Sequence, residues 1–277
     1  MECTQYAEIV QYMQTIREDI RFQRDFSWHI IEQQGRVIVD SVYHQSNMLK
    51  ALNILKDLGE YEFTHPIKVA MIAVYIGTWL RMERSELFHL ACAGLVADIG
   101  KAKVRDSLLN KVSELDENER MMLRQHPING FSFLAKDKQI AGGVKMAVLC
   151  HHERHDGSGY PFGLKNDEIH LFARIIAVAD IFDAMTSERI YSEKSSVFHA
   201  AKEIVEDGYC KLDPRISQTF FQKVCMYYVG SQVTLSNDMV GEIIHVNPLH
   251  PDRPLIRSGE VFLDLFNHRD IEIVDMV

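Results

Sequence analysis

The sequence predicts a mainly α-helical body with a small β appendage at its C-terminal end. Two observations lead there. Apolar residues recur at helical spacing through most of residues 1–229, separated by short polar loops. From about residue 230 the pattern switches to alternation of apolar and polar residues, as in GSQVTLSNDMVGEIIHVNP and PLIRSGEVFLDLFNHRDIEIVDMV.

Residues 1–58 form a first helical segment, in which Met48, Leu49, Leu52 and Leu55 share one face and Gly59 supplies a stop. Thr64 is the expected cap of the next helix, with Pro66 in its first turn, HPIKVAMIAVYIGTWLRM. Ser-Glu ahead of an apolar run starts another near Ser85, SELFHLACAGLVADIG. Further helices are expected at 116–125, 127–135, 139–152, 171–186, 195–207 and 214–229, with a glycine-rich loop, HDGSGYPFGLKNDEI, over 155–169. Ser236-Asn237-Asp238 is the expected hairpin turn of the appendage. The expected organisation is thus an N-terminal segment 1–58, a main helical domain 59–229 and a β subdomain 230–277.

Composition narrows the function. The 277 residues are 47% hydrophobic and 25% charged, ordinary for a globular protein. A net charge of −9 argues against broad binding to a nucleic-acid polymer or an anionic membrane. No apolar run reaches the length of about 18 residues needed for a membrane span. The N-terminal stretch lacks a basic-then-apolar signal pattern, and the five scattered cysteines contain no CxxC. Reduced thiols in a cytoplasmic protein are expected.

Six polar side chains interrupt or close apolar runs: His65, Asp98, His126, His151, His152 and Asp180. Four imidazoles and two carboxylates are a donor set suited to divalent transition metals. Each residue alone also fits a structural role. His65 and His126 stand beside prolines at helix starts, Asp180 can cap, and Asp98 can pair with Lys101 at i+3. Adjacent helical residues point about 100° apart, so His151 and His152 face one site only at a helix end or against a wide cluster. In the loop, Gly157 and Gly159 permit sharp turns, Pro161 stiffens the exit and Tyr160 offers a flat face for a base.

The segments FTHPIKVA, LVADIGK, RQHPINGFSFL, HHERHDGSGYP and IIAVADIFDAMTSERIY together resemble the HD-GYP family of HD-type metal-dependent phosphohydrolases. The resemblance covers roughly residues 60–210 and implies an HD-type helical bundle holding two divalent transition metal ions, iron or manganese. It places one ion on His65, Asp98 and Asp180, and the other on Asp98, His126, His151 and His152, with Asp98 bridging. Ions about 3.5–4 Å apart are the two-metal arrangement for phosphodiester hydrolysis. Lys101, beside the catalytic Asp98, would neutralise phosphate charge. Gly159, Tyr160, Pro161, Asp183, Arg189 and Tyr191 would lie near substrate, with Arg189 suited to fork onto a phosphate and Asp183 to orient a metal ligand.

The sequence departs from the family at residue 97, where Ala97 replaces the histidine of the HD pair. Losing that ligand should weaken the first ion by at least the ~10–100-fold that a lost supporting group costs. A second departure is Tyr61, where some members carry a glutamate for a third metal; Glu62 is out of phase by one, so two ions are expected at most. The implied activity is cleavage of cyclic di-GMP to linear pGpG and/or GMP, at a site impaired by Ala97. The alternative is an inactive module that binds a cyclic dinucleotide or a protein. A different HD-type phosphohydrolase is disfavoured by the GYP loop. The N-terminal helices and the β segment leave a homodimer or a partner signalling domain open as partners.

Overall fold

The computed structural model describes residues 2–22, 24, 26–55, 58–187, 197–206 and 211–276. The chain opens with α1 (Glu2–Arg21), α2 (Trp28–His44) and α3 (Met48–Asn53). Next come α4 (Tyr61–Trp79) and α5 (Arg84–Val96), then a 3-10 turn (Ile99–Lys103), α6 (Asp106–Leu109) and α7 (Glu117–Leu123). The helical body ends with α8 (His126–Leu134), α9 (Gly142–Cys150), α10 (Leu171–Thr186), α11 (Val197–Glu206) and α12 (Pro214–Met226).

The centre is the pair α4 and α5, both apolar nearly all round. Residues 69–77 of α4 are all buried, as are residues 90–96 of α5, which is the pattern of a helix covered on every side. α2, α9 and α10 pack around this pair, and α1 lies across α4 and the 3-10 turn. Small residues let the central helices approach closely: a Cβ on Gly94 would lie 2.6 Å from Ala70 Cα. Most of the buried apolar residues form one cluster running from Tyr6 in α1 to Leu265, and Leu149, Cys150, Ile169 and Ala173 form a smaller second one.

Two local readings need correction. Thr64 does not cap a helix. α4 begins one turn earlier, because Glu60 O accepts from Phe63 N and Thr64 N and starts the ladder there. The Thr64 hydroxyl bonds back to Glu60 O and Tyr61 O from inside the helix, and Pro66 is an internal residue. The extra turn matters, since it carries Tyr61 and Glu62. The apolar run ending in LVADIG is not helical to its end either. α5, started by a capping box between Glu83 and Glu86, stops at Val96, and Asp98 sits where the chain turns into the 3-10 segment.

The C-terminal residues form an antiparallel sheet of β1 (Gln232–Leu235), β2 (Val240–Asn247), β3 (His250–Ser258), β4 (Val261–Asp264) and β5 (Ile273–Met276), in the order β4-β3-β2-β1-β5. The β1–β2 turn falls where expected: Asp238 takes φ +64° and its N–H bonds to Leu235 O. One sheet face is apolar and joins the helical core through Val233, Leu235, Ile243 and Ile256. Among the described residues no helix is long and apolar enough to cross a membrane.

Candidate metal centre

The six singled-out His and Asp residues converge from five segments. His65 projects from the second turn of α4. Asp98 follows the end of α5, His126 opens α8, His151 and His152 follow the end of α9, and Asp180 lies in the third turn of α10. The helix-end geometry explains how adjacent histidines reach one place: α9 stops at Cys150, so both rings turn toward Asp98.

Two donor groups result. Asp98, His126, His151 and His152 each offer a ligand atom within 4.8 Å of the others, and so do His65, Asp98 and Asp180. Asp98 belongs to both. Its Oδ1 faces His126 Nε2 at 3.1 Å and His151 Nε2 at 3.6 Å, while its Oδ2 faces His65 Nε2 at 3.4 Å and Lys101 Nζ at 2.6 Å.

Proton positions show what this cluster suits. His126 Nδ1 lies 2.8 Å from Leu123 O and His151 Nδ1 lies 2.9 Å from Val148 O. A carbonyl only accepts, so both Nδ1 atoms carry hydrogen and, in the neutral ring, both Nε2 atoms present lone pairs. Those lone pairs point at Asp98 Oδ1, which is buried and accepts no hydrogen bond. His126 Nε2 and His152 Nε2 stand 3.1 Å apart. Burial lowers the pKa of His126 and pushes that of His152 well below 6.5, so a proton is a poor filler for this space. Converging lone pairs around an orphaned carboxylate oxygen fit a divalent cation.

The His65 side is more acidic. Its Nδ1 lies 2.7 Å from Asp183 Oδ2 and 2.9 Å from the Tyr61 hydroxyl, and its Nε2 is 3.2 Å from Asp180 Oδ1. Burial disfavours the imidazolium, but Asp180, Asp183 and Asp98 outweigh it and hold the His65 pKa well above 6.5. Burial likewise works against the Asp98 carboxylate. Lys101 leads the groups that outweigh it and hold its pKa well below 3.8. A site that concentrates carboxylates this strongly calls for positive charge.

Ala97 is 5% exposed and leaves a void of about 10 Å³, bounded by His65, Gly94, Asp98, His151 and Asp180. That is room for about one water.

The remaining sequence candidates fall into four groups. Lys101 is where its i+3 spacing put it, ion-paired to Asp98. Asp183, grouped with the substrate contacts, is 2% exposed. Its oxygens are taken by His65 Nδ1 and by Ser187 Oγ at 2.8 Å, so it steers the His65 ring. In the loop, Tyr160 stacks on His152 with centroids 4.7 Å apart, and the Arg124 guanidinium lies 5.4 Å from its centroid. Gly159 lets the loop backbone approach closely, since a Cβ there would lie 2.3 Å from Arg154 N. Pro161 follows a cis peptide bond from Tyr160. Arg189 and Tyr191 lie outside the described residues.

Several supporting residues escaped the sequence reading. Glu153 is buried and its carboxylate accepts from Phe162 N at 2.7 Å and Leu164 N at 3.0 Å, tying the loop down. Gly100 packs directly on the start of α8. Tyr61 touches His65, a contact its i+4 spacing on α4 would have signalled had the helix start been read correctly.

Comparison with known proteins gives the same direction. The HD domain family matches residues 38–216. The cyclic di-GMP phosphodiesterase PA4108 of Pseudomonas aeruginosa is 36% identical over 205 residues, which is 74% of this chain and 49% of that protein. The cyclic di-GMP phosphodiesterase response regulator RpfG of Xanthomonas campestris pv. campestris is 36% identical over 150 residues, 53% of this chain and 39% of that protein. The 3'3'-cGAMP-specific phosphodiesterase 3 of Vibrio cholerae is 32% identical over 181 residues, 65% of this chain and 39% of that protein. The chain thus spans half or less of the length of these relatives. Among solved structures, Bd1817, a HDG"Y"P protein from Bdellovibrio bacteriovorus, superposes with a TM-score of 0.59 at 18% identity, covering 78% of this chain and 70% of that one. It shares the fold.

Proposed function

The chain belongs to the HD domain family, in its HD-GYP branch, and on that premise we propose that it is a metal-dependent phosphodiesterase acting on cyclic dinucleotides, with cyclic di-GMP as substrate and linear pGpG and/or GMP as product. The observation that carries this reading is the convergence of imidazole lone pairs on the buried, unbonded Oδ1 of Asp98. His65, Asp98 and Asp180 would hold one divalent ion, and Asp98, His126, His151 and His152 the other. Iron or manganese there would supply Lewis acidity and a water acidic enough to attack at neutral pH.

The protein's own groups then divide the remaining work. Asp98 offers one oxygen to each side. Asp183 accepts the Nδ1 hydrogen of His65 and so keeps Nε2 free to ligate. Lys101 places an ammonium at the Asp98 edge, where it offsets charge gathering on the phosphate. Glu153 holds the loop that carries Gly159, Tyr160 and Pro161, and Tyr160 braces His152. Arg189 and Tyr191 are proposed phosphate contacts on the resemblance alone.

One observation favours a second reading. Ala97 contributes no ligand to the His65 side, and the void beside it holds about one water. A chain so altered can bind the dinucleotide without cutting it. Mn²⁺- or Fe²⁺-dependent hydrolysis of cyclic di-GMP, assayed on this chain and on Ala97→His, decides between the two. Product from either protein supports the enzyme. Tight binding with no product from both supports the binding module and overturns the first reading. A cytoplasmic setting and assembly as a homodimer or with a signalling domain complete the proposal.

A further inference from the structure

A cavity of about 550 Å³ opens on the α1 side of the centre, within the 300–1,000 Å³ range of small-molecule sites. His65, Asp98 and Lys101 line its inner end, so it is continuous with the proposed reaction site. Its opposite wall is α1, which precedes the residues matched by the family. Met13, Ile16, Phe63 and Leu109 make much of the lining apolar. Against that background one ion pair stands out. Arg17 Nη1 lies 2.9 Å from Glu62 Oε2, and its Nη2 lies 3.0 Å from Asp106 Oδ1. Asp106 is held in turn by Arg21 at 2.7 Å. The Arg17 guanidinium lies 5.7 Å from the centroid of the Phe63 ring, and both residues also line a second cavity of about 350 Å³ outside the first. Arg17 and Phe63 therefore border both cavities.

We propose that this chamber seats one guanine base of the cyclic dinucleotide, and that the side-by-side Arg17 guanidinium and Glu62 carboxylate read its edge. The inference rests on the phosphodiesterase reading for its substrate class. The chemistry is directional. Guanine presents the acceptors O6 and N7 beside the donors N1–H and N2–H₂, which match a guanidinium fork and a carboxylate respectively. Adenine keeps N7 but places an amino donor where O6 stands and an acceptor where N1–H stands, so it meets one arm of the Arg17 fork donor to donor and Glu62 acceptor to acceptor. Phe63 adds an aromatic surface beside the pair. The side chains of Arg17 and Glu62 are 24% and 41% exposed, so the pair meets an incoming base without first being dug out of the core.

The test is calorimetric binding of the slowly hydrolysed bisphosphorothioate analogues of cyclic di-GMP and cyclic di-AMP to the full, metal-loaded chain. The wild type should prefer the guanine analogue. Arg17→Met should weaken that analogue roughly 10–100-fold, as expected for one lost bidentate contact, and leave the adenine analogue within about twofold. Glu62→Gln keeps the side-chain shape and should weaken guanine binding alone. Equal affinity of the wild type for the two analogues, or a parallel loss of both in either variant, overturns the proposal. Release of p-nitrophenol from bis(p-nitrophenyl) phosphate by the wild type and by Ala97→His is measured alongside. No release by the wild type or by Ala97→His sinks the phosphodiesterase reading, whereas a guanine preference lost in the variants still upholds this one.

Discussion

Gly100→Ala should damage both the fold and the metal centre, and the structure sets the size of the effect. A Cβ on Gly100 would lie 2.0 Å from His126 O and 2.6 Å from Gly130 N. Both are backbone atoms of α8, so no side chain can swing aside. Ordinary contact begins near 3.4 Å, and the shortfall against His126 O is 3.4 − 2.0 = 1.4 Å. Opening that gap moves the 3-10 turn away from α8 and separates Asp98 from His126, now 3.1 Å apart. Overpacking of this kind costs about 1–3 kcal/mol, which for a chain of this size lowers Tm by roughly 2–12 °C. A displacement of about 1 Å at a reacting centre costs on the order of 10²-fold in rate. Gly142→Ala is the control, because nothing lies within 4 Å of its Cβ. That change should be neutral or stabilise by about 0.4–1 kcal/mol through the unfolded chain. Thermal melts and Mn²⁺ titrations of both variants are the assay. If Gly100→Ala melts within a degree of the wild type and binds Mn²⁺ as tightly, the close approach does not position Asp98 and the reasoning fails.

Other consequences are equally direct. Metal removal by EDTA should lower Tm, and Mn²⁺ at about 100 times its Kd should restore about 2.7 kcal/mol; a melt indifferent to both treatments would contradict a metal centre at Asp98. Asp183→Asn should weaken Mn²⁺ binding ~10–100-fold while far-UV circular dichroism stays unchanged, because the side-chain shape is kept and only its contacts to His65 Nδ1 and Ser187 Oγ are altered; unchanged affinity would remove Asp183 from the site. Burial pushes the Cys92 thiol up to about 12, so at pH 8 it should resist iodoacetamide in the native protein and react once unfolded; rapid native labelling, mapped by mass spectrometry, would count against this packing. Glu153→Gln leaves one acceptor oxygen for two loop amides, so one hydrogen bond is lost and the other loses its charge, and amide exchange at Phe162 and Leu164 should speed; unchanged exchange would show that the loop is held by other contacts.

Legibility followed the range of the interaction. α10 runs from Leu171 to Thr186, as its apolar run indicated, because most of the segment is buried and its composition says so. The β hairpin at Ser236–Asp238 was readable because the turn chemistry is local. The start of α4 was misread, because Thr64 and Pro66 form a good local start signal that a backbone ladder from Glu60 overrides. The end of α5 was misread for a similar reason. Nothing in LVADIG says that the helix must stop at Val96, whereas contact of Gly100 with α8 requires the turn.

Apolar periodicity was enough to determine the helical class, and the His and Asp residues, read with their family resemblance, were enough to name a candidate donor set, since ligand chemistry is a property of side-chain type. The same reading set the expectation that Ala97 stands where the family has histidine. What only the tertiary structure decided is direction: which oxygen of Asp98 faces which imidazole, that Asp183 turns its carboxylate to His65 Nδ1, that Tyr160 rests on His152, and that α1 closes a chamber beside Lys101. The physical reason is that, apart from the Tyr160–His152 contact within one loop, these relations join residues far apart in sequence, up to the 118 positions between His65 and Asp183. No local preference records them, and they arise only when helices pack at fixed distances and angles.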